Sequence, residues 1–319
     1  MIEGNGARNP LYTNRFREDE LDAELKLFDF SHYPIPTNES NTLRLFYNNV
    51  NGLEINVAIQ SILNNRNKKQ SLKIINEVET FTKLEAFMKQ MYTWEVDTVV
   101  MAEPCIEWRD AIPRNIVKEI SKKYDKNGNW TVATSKCYSG SYVKPGGAAV
   151  YSSGSVVGKI TGRGTDPWGY GRWSFVRYGG QDGTELIVIG GYRVGHRSTP
   201  AGASTAWHQQ KVLLATDKRE MEPEEAMLID LEQWIGTVRS ARSEIIVFLD
   251  ANEKWGDHAR ITKFAHDNAL SDLNTAGGYN FPPTHPCLQN STRDTTIDFC
   301  LCTQRVVDNI AYATMAPYF

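Results

Sequence analysis

An apolar run that ends abruptly in polar side chains constrains this chain most. Ile245 to Leu249 are consecutive apolar residues, followed directly by Asp250, and Asn252 comes two positions later. A strand that is apolar on both faces is typical of the centre of a covered sheet, as in α/β proteins. Because side chains alternate along a strand, Asp250 and Asn252 are expected on one face. This pair suits a divalent cation and a phosphate, and it equally suits the cap of a helix that begins near Trp255.

Length and composition are those of a globular protein. The chain has 319 residues, of which 41% are hydrophobic and 23% are charged. This length accommodates one large α/β domain or two smaller ones. The sequence contains no run of about 18 apolar residues, and residues 1–8 are polar. We therefore expect no membrane span and no signal peptide, and an intracellular location, nuclear or cytoplasmic.

The cysteines indicate a reducing compartment. There are 5, scattered along the chain and without the paired C-x-x-C spacing of a zinc site. Cys300 and Cys302 alternate along a predicted strand. Packing on one buried face is favoured over metal binding for this pair.

Basic and aromatic residues are concentrated in the middle of a chain whose net charge is −3. Residues 144–211 contain an excess of Lys and Arg over Asp and Glu, interleaved with Trp and Tyr. Such a mixture suits a phosphate backbone with stackable bases. Solvated loops and tryptophans that pack between strands would give the same pattern.

Strand and helix patterns alternate from residue 42 onwards. Residues 1–41 are interrupted by prolines and show no period, so we interpret them as an extension outside a domain formed by residues 42–319. The patterns predict strands at Leu43–Asn49, Asp97–Ala102, Trp130–Cys137, Ala148–Tyr151, Trp173–Arg177, Leu186–Ile189, Ile245–Leu249, Thr296–Leu301 and Asn309–Ala313. They predict helices at Val57–Asn65, Lys69–Gln90, Asn115–Tyr124, Ser204–Ala215, Pro223–Ala241 and Gly256–Asp267.

Polar residues with oxygen ligands stand at the ends of several of these strands. Asn49, Glu103 and Asp250 follow or end three of them, and Asp298 begins another. With the motifs around them, these residues make the chain resemble the endonuclease/exonuclease/phosphatase superfamily, which includes pancreatic-type DNases, apurinic endonucleases and the endonuclease domains of LINE-type retrotransposons. The matching segments, in order, are Asn49–Leu53, Glu103, Gly146–Val150, Tyr192, Leu249–Asn252 and Thr295–Phe299.

The resemblance implies an α/β fold built as a four-layer sandwich, in which two mixed β-sheets lie face to face between flanking helices, as in DNase-like proteins. It also implies a Mg²⁺ site, with Mn²⁺ as the alternative metal. Glu103 would hold the ion, helped by Asn49. Alternatively, Asn49 only stabilises the turn at Asn51–Gly52 that follows it.

The same resemblance assigns catalytic and phosphate-binding roles. Asp250 would orient or deprotonate the attacking water, Asn252 and Tyr192 would hold the phosphate, and Asp298 would orient a histidine. Tyr192 could instead simply pack, and Asp298 could cap its strand. Gly195 stands where the family's Tyr-x-x-Asn motif places its Asn. Nucleic-acid or phosphate contacts are therefore also expected from Arg193, His196, Arg197 and Thr295.

The family's Ser-Asp-His motif is the main departure. It follows the Ile-Asp motif by roughly 25 residues in the family, whereas this sequence ends at Phe319. We therefore expect that the domain lacks its last C-terminal segment, with the histidine either just past Phe319 or lost. His285, in a proline-rich loop, is a candidate substitute.

The motifs look most like those of retrotransposon endonucleases. This implies a Mg²⁺-dependent phosphodiesterase that nicks double-stranded DNA, belongs to a retrotransposon-like polyprotein and is followed by a reverse transcriptase. Two alternatives remain at this point. One is a phosphatase or an RNA-directed phosphodiesterase of the same superfamily. The other is an inactive pseudo-nuclease that binds nucleic acid or serves a structural role.

Overall fold

The central part of the protein is a pair of mixed β-sheets. The computed structural model describes residues 42–53, 55, 82–137, 141–195, 202, 204–279, 281–284 and 295–314. The extension over residues 1–41, the predicted helix Val57–Asn65 and the first part of the predicted helix Lys69–Gln90 lie outside these described residues. No helix in the described part is long and apolar enough to cross a membrane.

The first sheet has four strands in the order β1-β2-β4-β3. They are β1 (Leu45–Asn49), β2 (Thr98–Ala102), β3 (Asn129–Ala133) and β4 (Ala148–Ser152). β1 and β2 are parallel, and β4 pairs antiparallel with both β2 and β3. The carboxyl ends of β1 and β2 therefore lie at the same edge of the sheet as the start of β4.

The second sheet has six strands in the order β5-β6-β7-β8-β10-β9. They are β5 (Ile160–Thr165), β6 (Trp173–Gly179), β7 (Glu185–Tyr192), β8 (Ser243–Asp250), β9 (Ser271–Asp272) and β10 (Asp298–Cys302). β7 and β8 are parallel and the other pairs are antiparallel. This sheet thus also presents two parallel carboxyl ends beside the start of an antiparallel strand.

The two sheets pack face to face. Val100 and Val150 of the first sheet form one buried cluster with Val188 and Phe248 of the second. Gly190 of β7 lies so close to β2 that an added Cβ would be 2.4 Å from Val100 Cγ1. Because alternate residues of β8 face opposite ways, its other face is free to pack against helices.

Helices cover both outer faces of the sandwich, which confirms the predicted four-layer architecture. On the first sheet, Phe46 of β1 packs edge-on against Phe87, with ring centroids 5.8 Å apart. On the second, Leu249 shares a buried cluster with Met227 and Phe264. The helices are α1 (Lys83–Thr93), α2 (Ala111–Lys122), α3 (Ala206–Thr216), α4 (Pro223–Val238), α5 (Arg260–Asp267), α6 (Leu273–Ala276) and α7 (Gln304–Asp308).

Local sequence signals explain where two of these helices begin. Thr82 caps α1 by accepting a hydrogen bond from the Glu85 backbone N–H at 3.1 Å, the first half of a Ser/Thr-x-x-Glu capping box. Asp110 caps α2 through the Ile112 N–H at 2.9 Å. This cap starts α2 at Ala111, earlier than the predicted Asn115.

Two predicted segments are wrong. Residues 309–314 contain no strand, and the segment follows α7 instead. The segment is mostly apolar, and its residues Ile310 and Ala313 pack against the cluster between the sheets without pairing as a strand. Conversely, β5 forms in a segment for which no strand was predicted. Its residues Gly162 and Gly164 lie close to side chains of β6, since an added Cβ would be 3.0 Å from Arg177 Cδ and 2.9 Å from Phe175 Cε1.

Candidate active site

Two rows of polar residues face each other at one end of the sandwich. In the second sheet, Tyr192 pairs with Asp250 across β7 and β8, and Asp250 pairs with Asp298 across β8 and β10. In the first sheet, Asn49 pairs with Ala102, the residue before Glu103. The carboxyl ends of two parallel pairs, together with the start of β10, therefore bring together the five side chains that the strand-end pattern and the motifs singled out.

Asn49 links the two rows. Its side-chain Nδ2 donates to Asp250 Oδ2 at 2.7 Å and to Glu103 Oε2 at 3.2 Å, across 201 and 54 residues of sequence. Its Oδ1 accepts the Asn51 backbone N–H at 2.9 Å, which closes the turn. Asn49 thus serves both its turn and the site, and one amide holds two carboxylates next to each other.

Glu103 lies on a strained loop that neighbouring backbone holds in place. Its φ is 50°, in the left-handed region that non-glycine residues rarely adopt, and Cys105 has φ 54°. The Glu103 N–H donates to Gly147 O at 3.1 Å, and its carbonyl accepts from Gly52 N–H at 2.7 Å. The two glycine-containing motifs of the sequence therefore fix the backbone that carries this carboxylate.

The environment of Asp250 disfavours its ionised form. Burial, then the carboxylates of Asp298 and Glu103, raise the pKa of Asp250 to about 8, against the opposing effect of hydrogen bonds from Asn252 and Asn49. Asp298 lies directly opposite Asp250 in the antiparallel register, an arrangement that like charges destabilise. An acid whose pKa lies near neutrality can exchange a proton during a reaction.

Tyr192 contacts the Glu103 side of the site. Its hydroxyl is hydrogen-bonded to the Glu103 carboxylate, and burial followed by the charge of Glu103 raises the pKa of the phenol well above its usual range. Its ring lies against Gly146, where an added Cβ would be 3.0 Å from Tyr192 Cε1. Tyr192 both packs and presents its hydroxyl to the site.

Tyr47 is a site residue that the sequence reasoning missed. Its hydroxyl donates to Asp298 Oδ1 at 2.6 Å, and its ring stacks on Phe248 with centroids 5.4 Å apart. Burial, then the carboxylates of Asp298 and Asp250, raise the pKa of Tyr47 well above its usual range. The available signal was its position two residues before Asn49, which puts both side chains on the same face of β1.

Asn252 and Arg193 form an internal junction beyond β8. Asn252 has φ 48°, and its Nδ2 donates to the Arg193 carbonyl at 2.7 Å. The Arg193 guanidinium is buried, donates to Glu224 O and Ala251 O, and lies 3.3 Å from Glu253 Oε2. All these contacts are within the fold, so we leave Arg193 out of the phosphate-binding set.

The alternative interpretation of Asp250 and Asn252 as helix caps is wrong. The next helix, α5, begins at Arg260 after Ala259, well past Trp255. The side chain that reaches its first turn is Glu253, whose Oε2 accepts the Ile261 N–H at 3.1 Å. Asp250 instead accepts the Asn252 N–H and the Asn49 amide.

The other predicted phosphate contacts have no described geometry at the site. His196, Arg197 and His285 lie outside the described residues. Thr295 is half-buried and stands three residues before Asp298. Their roles therefore remain predictions.

The basic and aromatic region at residues 144–211 does not form one continuous charged surface. Lys144, Arg172 and Arg193 are buried, as are Tyr170 and Trp173. Arg172, for example, lies 2.7 Å from both Asp166 and Asp230 in a buried ion network. These residues therefore pack inside the protein, and the prediction that they form a nucleic-acid-binding surface is wrong for them.

The donor set at the site fits Mg²⁺ by its chemistry. Glu103, Asp250 and Asp298 supply hard carboxylate oxygens, and their mutual repulsion favours a cation between them. No group of three or more His, Cys, Asp or Glu side chains in the described part is arranged as a metal cage. Mg²⁺ needs none, because it typically keeps several waters and binds one or two carboxylates.

Comparison with known proteins gives similarity of fold only. No family model and no curated protein matches the sequence. Among solved structures, the chain is similar to an AP endonuclease from Archaeoglobus fulgidus, with 12% identity, a TM-score of 0.49 and coverage of 84% of this chain and 89% of the other. An endonuclease/exonuclease/phosphatase family protein from Leptotrichia buccalis has 10% identity, a TM-score of 0.48 and coverage of 82% and 88%.

A third similar structure is the endonuclease domain of TRAS1, a telomere-specific non-LTR retrotransposon. Its identity is 14%, its TM-score is 0.44, and the match covers 73% of this chain and 84% of that domain. Two of these three structures are, by name, an endonuclease/exonuclease/phosphatase family protein and a retrotransposon endonuclease domain, the kinds of protein that the motifs resemble. Identities this low carry no information about the reaction, so the chemistry has to come from the residues of the site.

Proposed function

We propose that this protein is a Mg²⁺-dependent phosphodiesterase. The observation that carries the proposal is the contact of one amide, Asn49, with two carboxylates, Glu103 and Asp250, from opposite sheets. A cluster of partly buried carboxylates, two of them on facing sheet edges, has no evident structural benefit. It is the arrangement that a cation and a phosphate together would neutralise.

Each side chain of the site then has a chemical task. Glu103 would hold the metal, and a bound Mg²⁺ would stabilise the negative charge that develops on the phosphate. Asp250 would take a proton from the attacking water. Burial and the neighbouring carboxylates raise its pKa to about 8, and a cation bound beside it would favour the ionised form that this role needs. The second N–H of Asn252 can donate to a phosphate oxygen, and the Tyr192 hydroxyl would do so once a metal ion takes its place at the Glu103 carboxylate.

In its finer form, the proposal is an endonuclease that nicks double-stranded DNA inside the cell, as part of a retrotransposon-like polyprotein with a reverse transcriptase. Only the order of the motifs in the sequence supports the DNA substrate, the polyprotein and the reverse transcriptase. One structural observation favours a second candidate, a phosphatase acting on small phosphate esters. Lys144, Arg172 and Arg193 are buried, so they cannot follow a polymer backbone.

The test is Mg²⁺-dependent nicking of supercoiled plasmid by the wild type and by the Glu103→Gln and Asp250→Asn variants. Both variants should lose at least about 100-fold in rate at unchanged DNA affinity, because positioned metal and base contribute to rate and not to backbone binding. Asp308→Asn is the control, since Asp308 is an exposed carboxylate on α7.

Small phosphate monoesters are assayed in parallel. Cleavage of these compounds without plasmid nicking would favour the phosphatase. Full nicking activity in Asp250→Asn would contradict the role of Asp250, and a wild type inactive on every phosphate ester would contradict the enzyme proposal as a whole.

A further inference from the structure

We propose that Tyr47 is a positioning residue for Asp298 in the reaction, an inference that rests on the proposed function. Tyr47 lies on β1 of the first sheet and Asp298 on β10 of the second, 251 residues apart in sequence. Their 2.6 Å hydrogen bond therefore crosses the sandwich and ends at Asp298, the residue that pairs with Asp250.

Packing holds the Tyr47 ring in place independently of its bond to Asp298. The Tyr47 ring stacks on Phe248 at an interplanar angle of 16° and packs in the cluster that contains Val100 and Val150. A ring held on one face by an aromatic partner and surrounded by close-packed side chains has little freedom to rotate. Its hydroxyl thus reaches Asp298 Oδ1 from a fixed point.

The bond has a consequence for charge as well as position. A hydroxyl that donates to an ionised carboxylate forms a short, strong bond and stabilises the negative charge on that oxygen. Asp298 faces Asp250 across the antiparallel register, where two carboxylates repel each other. Tyr47 holds Asp298 in place despite this repulsion.

A second tyrosine provides a matched control. The Tyr178 hydroxyl also crosses the sandwich, where it lies 2.6 Å from Ser152 Oγ and 2.9 Å from Thr98 Oγ1. Thr98 is the first residue of β2, whereas Glu103 follows its last residue, so this contact is at the opposite end of the strand from the site. Tyr178→Phe removes a comparable inter-sheet hydroxyl without touching the reacting end.

The experiment compares the steady-state cleavage of a short DNA duplex, with Mg²⁺, by the wild type, Tyr47→Phe, Asp298→Asn, the double variant and Tyr178→Phe. We expect Tyr47→Phe to lower kcat about 10- to 100-fold with KM within about twofold, because the substrate still binds but the site is misaligned. The double variant should be no slower than Asp298→Asn, since Tyr47 acts through Asp298. Tyr178→Phe should lower Tm and leave kcat unchanged.

Thermal unfolding of the same variants separates the bond from its catalytic use. If the hydrogen bond forms, the Tm losses of the two single variants will not add in the double variant. Additive Tm losses would show that Tyr47 and Asp298 are not hydrogen-bonded. A wild-type kcat in Tyr47→Phe, or additive effects on kcat, would overturn the positioning role while leaving the phosphodiesterase proposal intact. A wild type without activity on any phosphodiester would overturn both.

Discussion

At the scale of single residues, the raised pKa of Asp250 predicts how the stability of the protein depends on pH. Its pKa of about 8 in the folded protein lies above the ordinary carboxyl value, so the folded state binds the proton more tightly than the unfolded state. The free energy of unfolding should therefore fall as pH rises from about 4 towards 8. In a buffer with a metal chelator, the Asp250→Asn variant should lack this part of the decline, a difference on the order of a few kcal/mol.

Denaturant unfolding at a series of pH values measures this decline. Asp267→Asn is a suitable comparison, because hydrogen bonding to Lys263 lowers the pKa of Asp267, the opposite direction. That variant should keep the decline of the wild type. Parallel pH profiles for the wild type and Asp250→Asn would show that Asp250 is ionised normally in the folded protein.

The strand-end pattern predicted Asn49, Glu103, Asp250 and Asp298 from local sequence, because a strand delivers its terminal side chain to a definite edge. It could not predict that Arg193 is buried. The partners that enclose the Arg193 guanidinium come from positions 31 and 58 residues further along the chain. The role of Tyr47 was hidden for the same reason, since its partner is on another sheet.

At the scale of strands and helices, Gly190 determines how closely the two sheets approach near the site. A Cβ at Gly190 would lie 2.4 Å from Val100 Cγ1, far inside contact distance. Gly190→Ala should therefore destabilise the protein by about 1–3 kcal/mol, the cost of overpacking a core. It should also lower activity, because the rows that carry Glu103 and Asp250 would move apart.

Gly236→Ala is the matched comparison, because Gly236 lies inside α4 and an added Cβ would meet no atom within 4 Å. It should stabilise the protein by about 0.5–1 kcal/mol, since glycine is unfavourable within a helix. Chemical denaturation of both variants measures the two effects. Equal, small changes in both would mean that the sheets do not pack as closely as described.

The sequence predicted strands correctly where an apolar run reflects burial in a sheet and nothing else. β8 is buried on both faces, so its apolar run predicts a strand without ambiguity. β5 was missed because its glycines lie against side chains of β6, and the local sequence does not reveal that contact. Residues 309–313 look like a strand because they are mostly apolar, but Ile310 and Ala313 are half-buried by packing and not by strand pairing.

At the scale of the whole molecule, the carboxylate cluster predicts that Mg²⁺ stabilises the fold. A ligand that binds only the folded state raises the free energy of unfolding, by about 2.7 kcal/mol at a concentration 100 times its Kd. Mg²⁺ should therefore raise Tm in the wild type and much less in the Glu103→Gln/Asp250→Asn double variant. Thermal unfolding at matched ionic strength measures this, and an equal Tm increase in both proteins would place the metal elsewhere.

The position of β10 has a consequence for the order in which the protein is made. β10 is the last of the described strands, yet it lies between β8 and β9, both of which precede it. While the ribosome is still adding the residues after β9, the β8 edge that ends in Asp250 has no neighbour on that side. An open strand edge can pair with other chains, so the nascent protein is exposed to aggregation during this interval. The arrival of β10 closes the edge and brings Asp298 to the site in the same step.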